Sequence, residues 1–587
     1  MEITRLFDIL DNYQEIKPNQ EVALAHKSDG NWIKYSLADY IKQTNLISAG
    51  LLHLGVKKGD TIAVISSNRA EYNIIDMAAM QIGAILVPIY PTISESDYRY
   101  ILNHAEISYI FLEGEELLRK IEHVVPDVPS LKGIYTFINR GRFQYFEQLL
   151  SLGEEHLDMD KINAIKAGIT SQDVACMIYT SGTTGNPKGV MLSHSNITMQ
   201  LKMLQDTPAK WSDIGFSFLP ICHAYEKMIV YLYQYLGMSV YYAESLATIS
   251  ENIKEINPTM MTCVPRMLEK IFDKLESAGR KLPYLQQKLY FWAINVAFEY
   301  NIEERSAYYN LKHKIADKLI YSKWRKAIGG NFDIVVSGGA AIQKRLASFF
   351  SAIGMPVFEG YGLTETSPVI AVSSRKKHGR CAGTVGFPLE GVEIKILPVT
   401  NEIVCRGHNV MLGYYKDEQL TKETIDEDGW FHTGDTGKFT PLGQLMITGR
   451  LKNIFKTSFG KYVNSFLIEE KFVQSPFIEN IVVVGENQKF AAAILIPDFA
   501  FLKLWCSKYK IPYTTNEEMV KNELVKTRFK KEVKKYNAFF GDTEQIRKFE
   551  LVSDEWTQQN GILTPTLKVK RNVIMERYQS IINQLFV

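Results

Sequence analysis

The chain has little that would mark a secreted, metal-stapled or membrane-spanning protein. Its 587 residues include six cysteines, Cys176, Cys222, Cys263, Cys381, Cys405 and Cys506, and no two of them form a CxxC pair. Scattered singly, they argue against a disulfide framework or a thiolate zinc site and for buried free thiols in a reducing compartment. No long hydrophobic run is present. The most apolar window, Met228 to Ala243, has 16 residues with many tyrosines and a glutamine, and falls short of a membrane span. The opening Met1-Glu-Ile-Thr-Arg-Leu-Phe-Asp places acids where a signal peptide needs an apolar core. Charge of one sign is missing too. With 67 basic and 65 acidic side chains the formal net charge is +2, which gives no electrostatic footprint for nucleic acid. A hydrophobic content of 46% excludes disorder throughout. A cytoplasmic protein is expected. Peripheral contact with the inner face of the membrane and the oligomeric state are left open.

What is present is an alternation of elements. Thr61-Ile-Ala-Val-Ile-Ser reads as a strand, a helical pattern follows from Arg69 to Ile82, and Ala84-Ile-Leu-Val-Pro-Ile reads as a second strand. Strand, helix, strand is the pattern of a parallel βαβ unit. Ser108-Tyr-Ile-Phe-Leu and Asp333-Ile-Val-Val-Ser read as further strands, and 280–328 as helical, with no glycine between Gly279 and Gly329. From 383 to 450, short β runs broken by Gly and Pro predict a small barrel or distorted sheet. A new unit begins after Gly449-Arg450, with strands at Ile481-Val-Val-Val and Ala492-Ala-Ile-Leu-Ile and helices over 519–537 and 570–584. The expected class is α/β: a large N-terminal domain of parallel-type βαβ sheets with a small β-rich subdomain (1–450), then a smaller α+β C-terminal domain (451–587).

The most informative segment is Tyr179-Thr-Ser-Gly-Thr-Thr-Gly-Asn-Pro-Lys-Gly189, which follows a strand-like run. Glycines let successive backbone N–H groups face an anion, hydroxyls add donors and Lys188 adds a point charge. The expected role is a phosphate-binding loop, against the plainer reading of a polar surface loop between strand and helix, and it is not a Walker A sequence. GxxxxGK[ST] would need Gly at 187 and Ser or Thr at 189, where Pro187 and Gly189 stand.

This loop resembles the signature of the adenylate-forming superfamily of acyl-CoA synthetases, luciferases and peptide-synthetase adenylation domains. Further stretches match in order: Ser337-Gly-Gly-Ala-Ala341, Glu359-Gly-Tyr-Gly-Leu-Thr-Glu-Thr366, Thr433-Gly-Asp435, Gly449-Arg450 and Gly561-Ile-Leu-Thr-Pro-Thr-Leu-Lys-Val-Lys-Arg571. Val264-Pro-Arg-Met-Leu-Glu-Lys, Lys323-Trp-Arg-Lys-Ala-Ile-Gly-Gly and the LTPTLKVKR ending look most like long-chain fatty acid–CoA ligases. The resemblance implies ATP, Mg²⁺ and CoA as cofactor and co-substrates, and a fatty acid as substrate. It implies that Thr180, Ser181, Gly182, Thr183, Thr184 and Lys188 hold the β- and γ-phosphates. Thr364 would donate to the α-phosphate and Glu365 would be the Mg²⁺ ligand. Tyr361 would stack on adenine within Glu359, Gly360 and Gly362, with Gly338, Gly339 and Ala340 at the adenine edge. Asp435 would take the ribose diol, with Arg450 close by.

By the same resemblance Lys568 is the lysine that bridges carboxylate and α-phosphate during adenylation, with Lys570 its rival. Lys452 is the hinge about which a mobile C-terminal domain turns, and Asn453 stands where many relatives carry an acid. Gly460 borders the pantetheine channel. His223, in Leu219-Pro-Ile-Cys-His-Ala-Tyr-Glu226, is placed at the acyl end of the site. The six tyrosines from Tyr225 to Tyr242 either line an acyl tunnel or belong to a buried helix–strand pair. Lys521 to Lys535 reads as a basic helix face in water or against anionic groups. The reading that follows is an AMP-forming long-chain fatty acid–CoA ligase. The alternatives are an acyl-AMP ligase loading a carrier protein, a CoA ligase for shorter or aryl acids, and an inactive acyl- or nucleotide-binding scaffold.

Overall fold

A computed structural model describes residues 2–138, 143–180, 186–205, 213–329, 332–557, 560–564 and 569–587. Its strands follow from the apolar runs. All five residues of Thr61–Ile65 are buried, as expected of a parallel strand covered on both faces. The helix Ala70–Gln81 and the strand Ile85–Ile89 follow it and complete the βαβ unit. Register runs Thr61 opposite Ile85 to Ile65 opposite Ile89.

Two large sheets organise the first 415 residues among those described. One has eight strands in the order Gly413–Tyr414, Lys188–Ser193, Val174–Thr180, Ile85–Ile89, Thr61–Ile65, Tyr109–Leu112, Gly133–Thr136 and Gln144–Tyr145. The other has nine and includes Val357–Tyr361, Ile334–Ser337, Met260–Cys263, Ile214–Ser217 and Ser239–Tyr242 side by side, all parallel. One apolar core draws on both sheets and on the helices Leu37–His53, Ala70–Gln81, His194–Leu204 and Ala224–Tyr235. All twelve residues of Ala70–Gln81 are buried. A helix enclosed on every side must satisfy its polar groups internally. Asp76 does so through Oδ2, which accepts from Lys227 Nζ at 2.5 Å and from the Tyr231 hydroxyl at 2.6 Å. Gln81 donates to Ser48 Oγ at 2.6 Å.

The glycine-broken stretch forms a four-stranded antiparallel sheet of Val392–Ile396, Glu402–Gly407, Phe431–Phe439 and Leu445–Arg450. A separate apolar cluster, drawn from residues between Val463 and Leu585, lies under the three-stranded sheet Ile478–Val484, Ala491–Pro497 and Ile546–Leu551. Here two expected helices are each divided. The first becomes Asn516–Lys521 and Glu523–Asn537, because Asn522 adopts an extended backbone and its side chain caps the second helix at Leu524 N–H, 2.9 Å away. The second breaks at Tyr578 into Arg571–Arg577 and Gln579–Leu585. Within Glu523–Asn537, Val525, Phe529 and Val533 face the core, whereas Leu524 is exposed. Among the described residues, no helix is long and apolar enough to cross a membrane.

Candidate active site

The glycine- and hydroxyl-rich segment 180–188 is bounded by paired strands. Thr180 ends one strand and Lys188 opens the next, and the two are register partners. Ser181, Gly182, Thr183 and Thr184 lie outside the described residues. Below the loop, the Tyr179 hydroxyl meets His104 Nδ1 at 2.7 Å. The neighbouring strand Gly413–Tyr414 pairs with Val190 and Met191 and brings a second aromatic to the loop. Lys188 Nζ lies 5.4 Å from the Tyr414 ring centre, and the Tyr414 hydroxyl donates to Glu365 Oε1 at 3.0 Å. Burial first, and the Glu365 carboxylate second, push the Tyr414 phenol upward, so it stays a donor. A single tyrosine thus joins the lysine of the loop to the carboxylate of the central motif.

That motif leaves the strand Val357–Tyr361 in a tight path. A Cβ on Gly362 would stand 1.6 Å from the Pro368 carbonyl oxygen, so no side chain fits there. Gly360 and Tyr361 pair with Val372 and Ala371. Thr364, buried, opens the short turn Thr364–Thr366, and half-buried Glu365 follows it. Gln200, fully buried on the helix His194–Leu204, clamps this turn. Its amide donates to Thr366 O at 2.8 Å and Val369 O at 3.1 Å, and its carbonyl accepts from Val369 N–H at 3.1 Å.

A second group assembles beside the motif. The Tyr361 hydroxyl donates to Asp435 Oδ2 at 2.9 Å, and Arg450 Nε donates to Asp435 Oδ1 at 2.6 Å. Asp435 and Arg450 face each other across an antiparallel ladder. Asp435 is buried while Arg450 is exposed, so the carboxylate is held from both oxygens at the edge of the solvent. Glu359 points elsewhere. Its buried carboxyl accepts from the backbone of Gly383 and Ile342, and burial pushes its pKa up to about 8.

The loop after Ile334–Ser337 is shaped by Tyr225. Its hydroxyl donates to Val336 O at 3.0 Å, and a Cβ on Gly338 would stand 2.9 Å from its ring. Gly338 is buried, Gly339 and Ala340 are exposed, and Gly339 has φ +79°. His223 caps the helix Ala224–Tyr235, its Nδ1 accepting from Tyr225 N–H at 3.2 Å. Next to it, buried Glu226 accepts from the Thr262 hydroxyl at 2.5 Å, and burial pushes its pKa up to about 7.

Residues 12–415 match the family model of AMP-binding enzymes, and residues 453–587 match the model of the AMP-binding enzyme C-terminal domain. The chain belongs to the AMP-binding enzyme family. Among curated members it is 31% identical over 592 residues to fatty acyl-CoA synthetase A of Dictyostelium discoideum, covering 95% of this chain and 86% of that protein. It is 31% identical over 566 residues to long-chain-fatty-acid–CoA ligase FadD15 of Mycobacterium tuberculosis, covering 95% and 93%. Solved family folds superpose throughout. The A domain of the carboxylic acid reductase from Segniliparus rugosus, with AMP and a co-purified carboxylic acid, gives a TM-score of 0.73 at 20% identity over 99% of this chain and 94% of that one. o-Succinylbenzoate CoA synthetase from Bacillus subtilis, with ATP and magnesium, gives 0.67 at 19% identity over 96% and 98%.

Against the motifs of this family, the structure gathers Thr180, Lys188 and Glu365 into one neighbourhood and Tyr361, Asp435 and Arg450 into another. Lys452 and Gly460 are exposed, Lys452 on the short turn Leu451–Asn453 that directly follows Arg450 and lies beside the strand of Asp435. Among the described residues, no hydrogen bond or ion pair joins them to either group. At Gly460 a Cβ would meet only Lys456 Cε at 3.6 Å, so its φ of +75° in the turn closed by its N–H on Thr457 O is what selects glycine. Lys568 lies outside the described residues. Its flanks are fixed: Leu563 pairs with Val569, and Arg571 ion-pairs with Glu469 at 2.8 Å. Tyr414 and Gln200 carry no motif, and the sequence reading misses both. Of the six tyrosines in the window, Tyr231, Tyr233 and Tyr242 are fully buried, the first bonded to Asp76 and the last to Asn73, while Tyr225, Tyr235 and Tyr241 are half-buried.

Proposed function

We propose that this chain is an ATP-dependent long-chain fatty acid–CoA ligase. A fatty acid carboxylate oxygen bonds to the α-phosphorus of ATP, the α–β anhydride breaks, and pyrophosphate leaves. The CoA thiolate then attacks the acyl carbonyl carbon of the acyl-adenylate and AMP leaves. The nucleophile of the first step is already anionic, so positioning and preorganised charge are what the protein must supply. The observation that carries this reading is the pair of polar groups joined at the central motif, Lys188–Tyr414–Glu365 and Tyr361–Asp435–Arg450. The first suits a polyphosphate, and the second suits a nucleoside diol. The curated relatives named for long-chain acids support the substrate class.

In this reading Thr180 to Thr184 and Lys188 cradle the β- and γ-phosphates, and Thr364 donates to the α-phosphate. Asp435 accepts from the ribose hydroxyls, and Tyr361 bounds the adenine with the loop Gly338 to Ala340. Lys568 bridges the reacting carboxylate and the α-phosphate. The residues fit Mg²⁺. The half-buried Glu365 carboxylate would hold the cation, since Mg²⁺ is a hard ion that favours carboxylate and phosphate oxygen. When bound it neutralises phosphate charge. The units 1–450 and 451–587 are read as a nucleotide- and acyl-binding domain and a moving domain that turns at Lys452, with Gly460 beside the path of the thiol.

The test is AMP release with ATP and Mg²⁺ across acetate, octanoate, palmitate, oleate and benzoate, each with and without CoA. Turnover that peaks with palmitate or oleate and requires CoA supports the reading. Turnover confined to short or aryl acids keeps the mechanism and overturns the substrate class. ATP binding without AMP release from any acid, with or without CoA, overturns the ligase reading in favour of a scaffold.

A further inference from the structure

The helical segment 280–328 supplies no group to the site, yet its outer surface is distinctive. Ala307–Ala316, Asp317–Tyr321 and Ser322–Ile328 follow one another without a break, the middle turn wound as a π-helix. One side is core: Tyr309, Ala316, Ile320, Tyr321 and Trp324 are buried. The opposite side is apolar as well. Tyr308, Leu311, Ile315 and Leu319 are 70%, 59%, 45% and 41% exposed. Their spacing of three, four and four residues lines them up as one stripe in water.

Lysines flank the stripe. At about 100° per residue, Lys312 falls on one side of it and Lys314 on the other. Lys312 Nζ lies 5.0 Å from the Tyr308 ring, and Glu299 reaches it at 3.4 Å. From Ala307 to Ile328 the segment carries Lys312, Lys314, Lys318, Lys323, Arg325 and Lys326 against the single acid Asp317, which Arg325 holds at 2.6 Å.

We propose that this stripe is a docking face for an anionic lipid surface. A helix with exposed aromatic and aliphatic side chains bordered by lysines lies in a headgroup interface, with apolar groups sunk among the acyl chains and ammonium groups on the phosphates. A protein partner fits less well, because protein interfaces are depleted in lysine and need a shaped, close-packed surface. The placement has a use under the proposed reaction, since a long-chain acid is drawn from a bilayer. The surface argument itself stands on the exposed stripe and its charge.

The test is co-sedimentation of the full chain, without ATP or CoA, with vesicles of phosphatidylcholine alone and of equimolar phosphatidylcholine and phosphatidylserine. The chain is expected to partition onto the anionic vesicles and to stay in solution with the neutral ones. L311Q/I315Q/L319Q should abolish most of the partitioning. K312Q/K314Q/K318Q should weaken it by on the order of a hundredfold, at about fivefold per lysine. The lysine variant alters only surface charge and decides the matter if the first variant misfolds, as judged by circular dichroism. No partitioning of the wild-type chain overturns the proposal, as does equal partitioning of a folded variant. A wild-type dimer in sedimentation velocity that L311Q/I315Q/L319Q converts to monomer also overturns it, by assigning the stripe to a second copy. Vesicle binding and AMP release are separate readouts, so failure of one is not failure of the other.

Discussion

Replacing Asp435 with Asn tests the ribose assignment by chemistry rather than by loss of a side chain. The carboxylate receives the Tyr361 hydroxyl on one oxygen at 2.9 Å and Arg450 Nε on the other at 2.6 Å. An amide of the same shape has one acceptor oxygen. Its NH₂ then either meets Arg450, donor against donor, or meets Tyr361, whose phenol must turn round to accept. The buried position leaves little freedom to turn away. Hydrogen bonds to a charged group contribute about 1.5–3 kcal/mol each, and about 1.4 kcal/mol is tenfold in affinity. If both ribose hydroxyls donate to this carboxylate, D435N should weaken ATP by roughly 10²- to 10⁴-fold.

The decisive arm uses a second nucleotide. 2′-Deoxy-ATP lacks one of the two donors, so the wild-type chain should prefer ATP to it by about 10- to 100-fold. In D435N that preference should shrink to within about fivefold, because the lost hydroxyl no longer has its acceptor. Equilibrium titration of both chains with both nucleotides closes the cycle without catalysis. Equal discrimination by wild type and D435N refutes the reasoning, and the ribose must then be read by other groups. Unchanged far-UV circular dichroism of D435N guards against a trivial loss.

The buried Asp76–Lys227 pair gives a stability prediction. K227M should cost about 3–5 kcal/mol by stranding a carboxylate, and the apolar triple D76L/K227M/Y231F should recover most of it, as read by chemical denaturation. Glu359 gives a pH dependence. Burial raises its folded pKa from 4.5 to about 8, so unfolding releases a proton between those values, and its contribution to stability falls as pH rises through that window. E359Q should therefore gain on wild type between about pH 5 and pH 8, by up to about 5 kcal/mol, in melts at stepped pH. Parallel curves would refute it. G362A should fail to fold or lose nucleotide binding, because its Cβ would stand 1.6 Å from the Pro368 carbonyl oxygen. K568A should lose acyl-AMP formation while binding ATP normally. K570A should keep most activity, as measured by the same AMP-release assay.

Legibility in the sequence follows the range of the interaction. The βαβ unit was readable because a strand buried on both faces needs a continuous apolar run, and Thr61–Ile65 has one. The AMP-binding family was readable because the glycines, hydroxyls and lysine of 180–189 are neighbours in the chain. Tyr414 was not. Its place against Lys188 and Glu365 comes from the pairing of Gly413–Tyr414 with a strand more than 200 residues earlier. Gln200 is a lone amide on a helix, and only the fold sets it against the backbone of Thr366 and Val369. The tyrosines of 225–242 were ambiguous for a different reason. A phenol is apolar enough for a tunnel wall and polar enough for a buried network, and only the partners decide between the two. For Tyr231 that partner is Asp76. The divided helix at Asn522 shows a propensity limit, because one capping side chain outweighs a helical pattern that continues past it.

The first turn of the helix Ala224–Tyr235 explains why so much polarity is buried far from solvent. Tyr225 bonds Val336 of the strand that leads into the loop Gly338 to Ala340. Glu226 takes the Thr262 hydroxyl on the adjacent strand. Lys227 ties to Asp76 on the helix beneath. Three consecutive residues thus bind three different elements, and His223 caps the same turn. Apolar side chains in those places would fill the volume but would tolerate sliding, because dispersion contacts are non-directional. Hydrogen bonds of 2.5–3.0 Å do not tolerate it. Misplacement of about 1 Å at a reacting centre can lower a rate by about 10²-fold, so a site whose chemistry rests on position gains from a helix that cannot shift. The stability variants at Lys227 accordingly carry a catalytic corollary. The apolar triple D76L/K227M/Y231F, although refolded to near wild-type stability, should have lower kcat than its melting curve suggests, because it restores the packing without restoring the register.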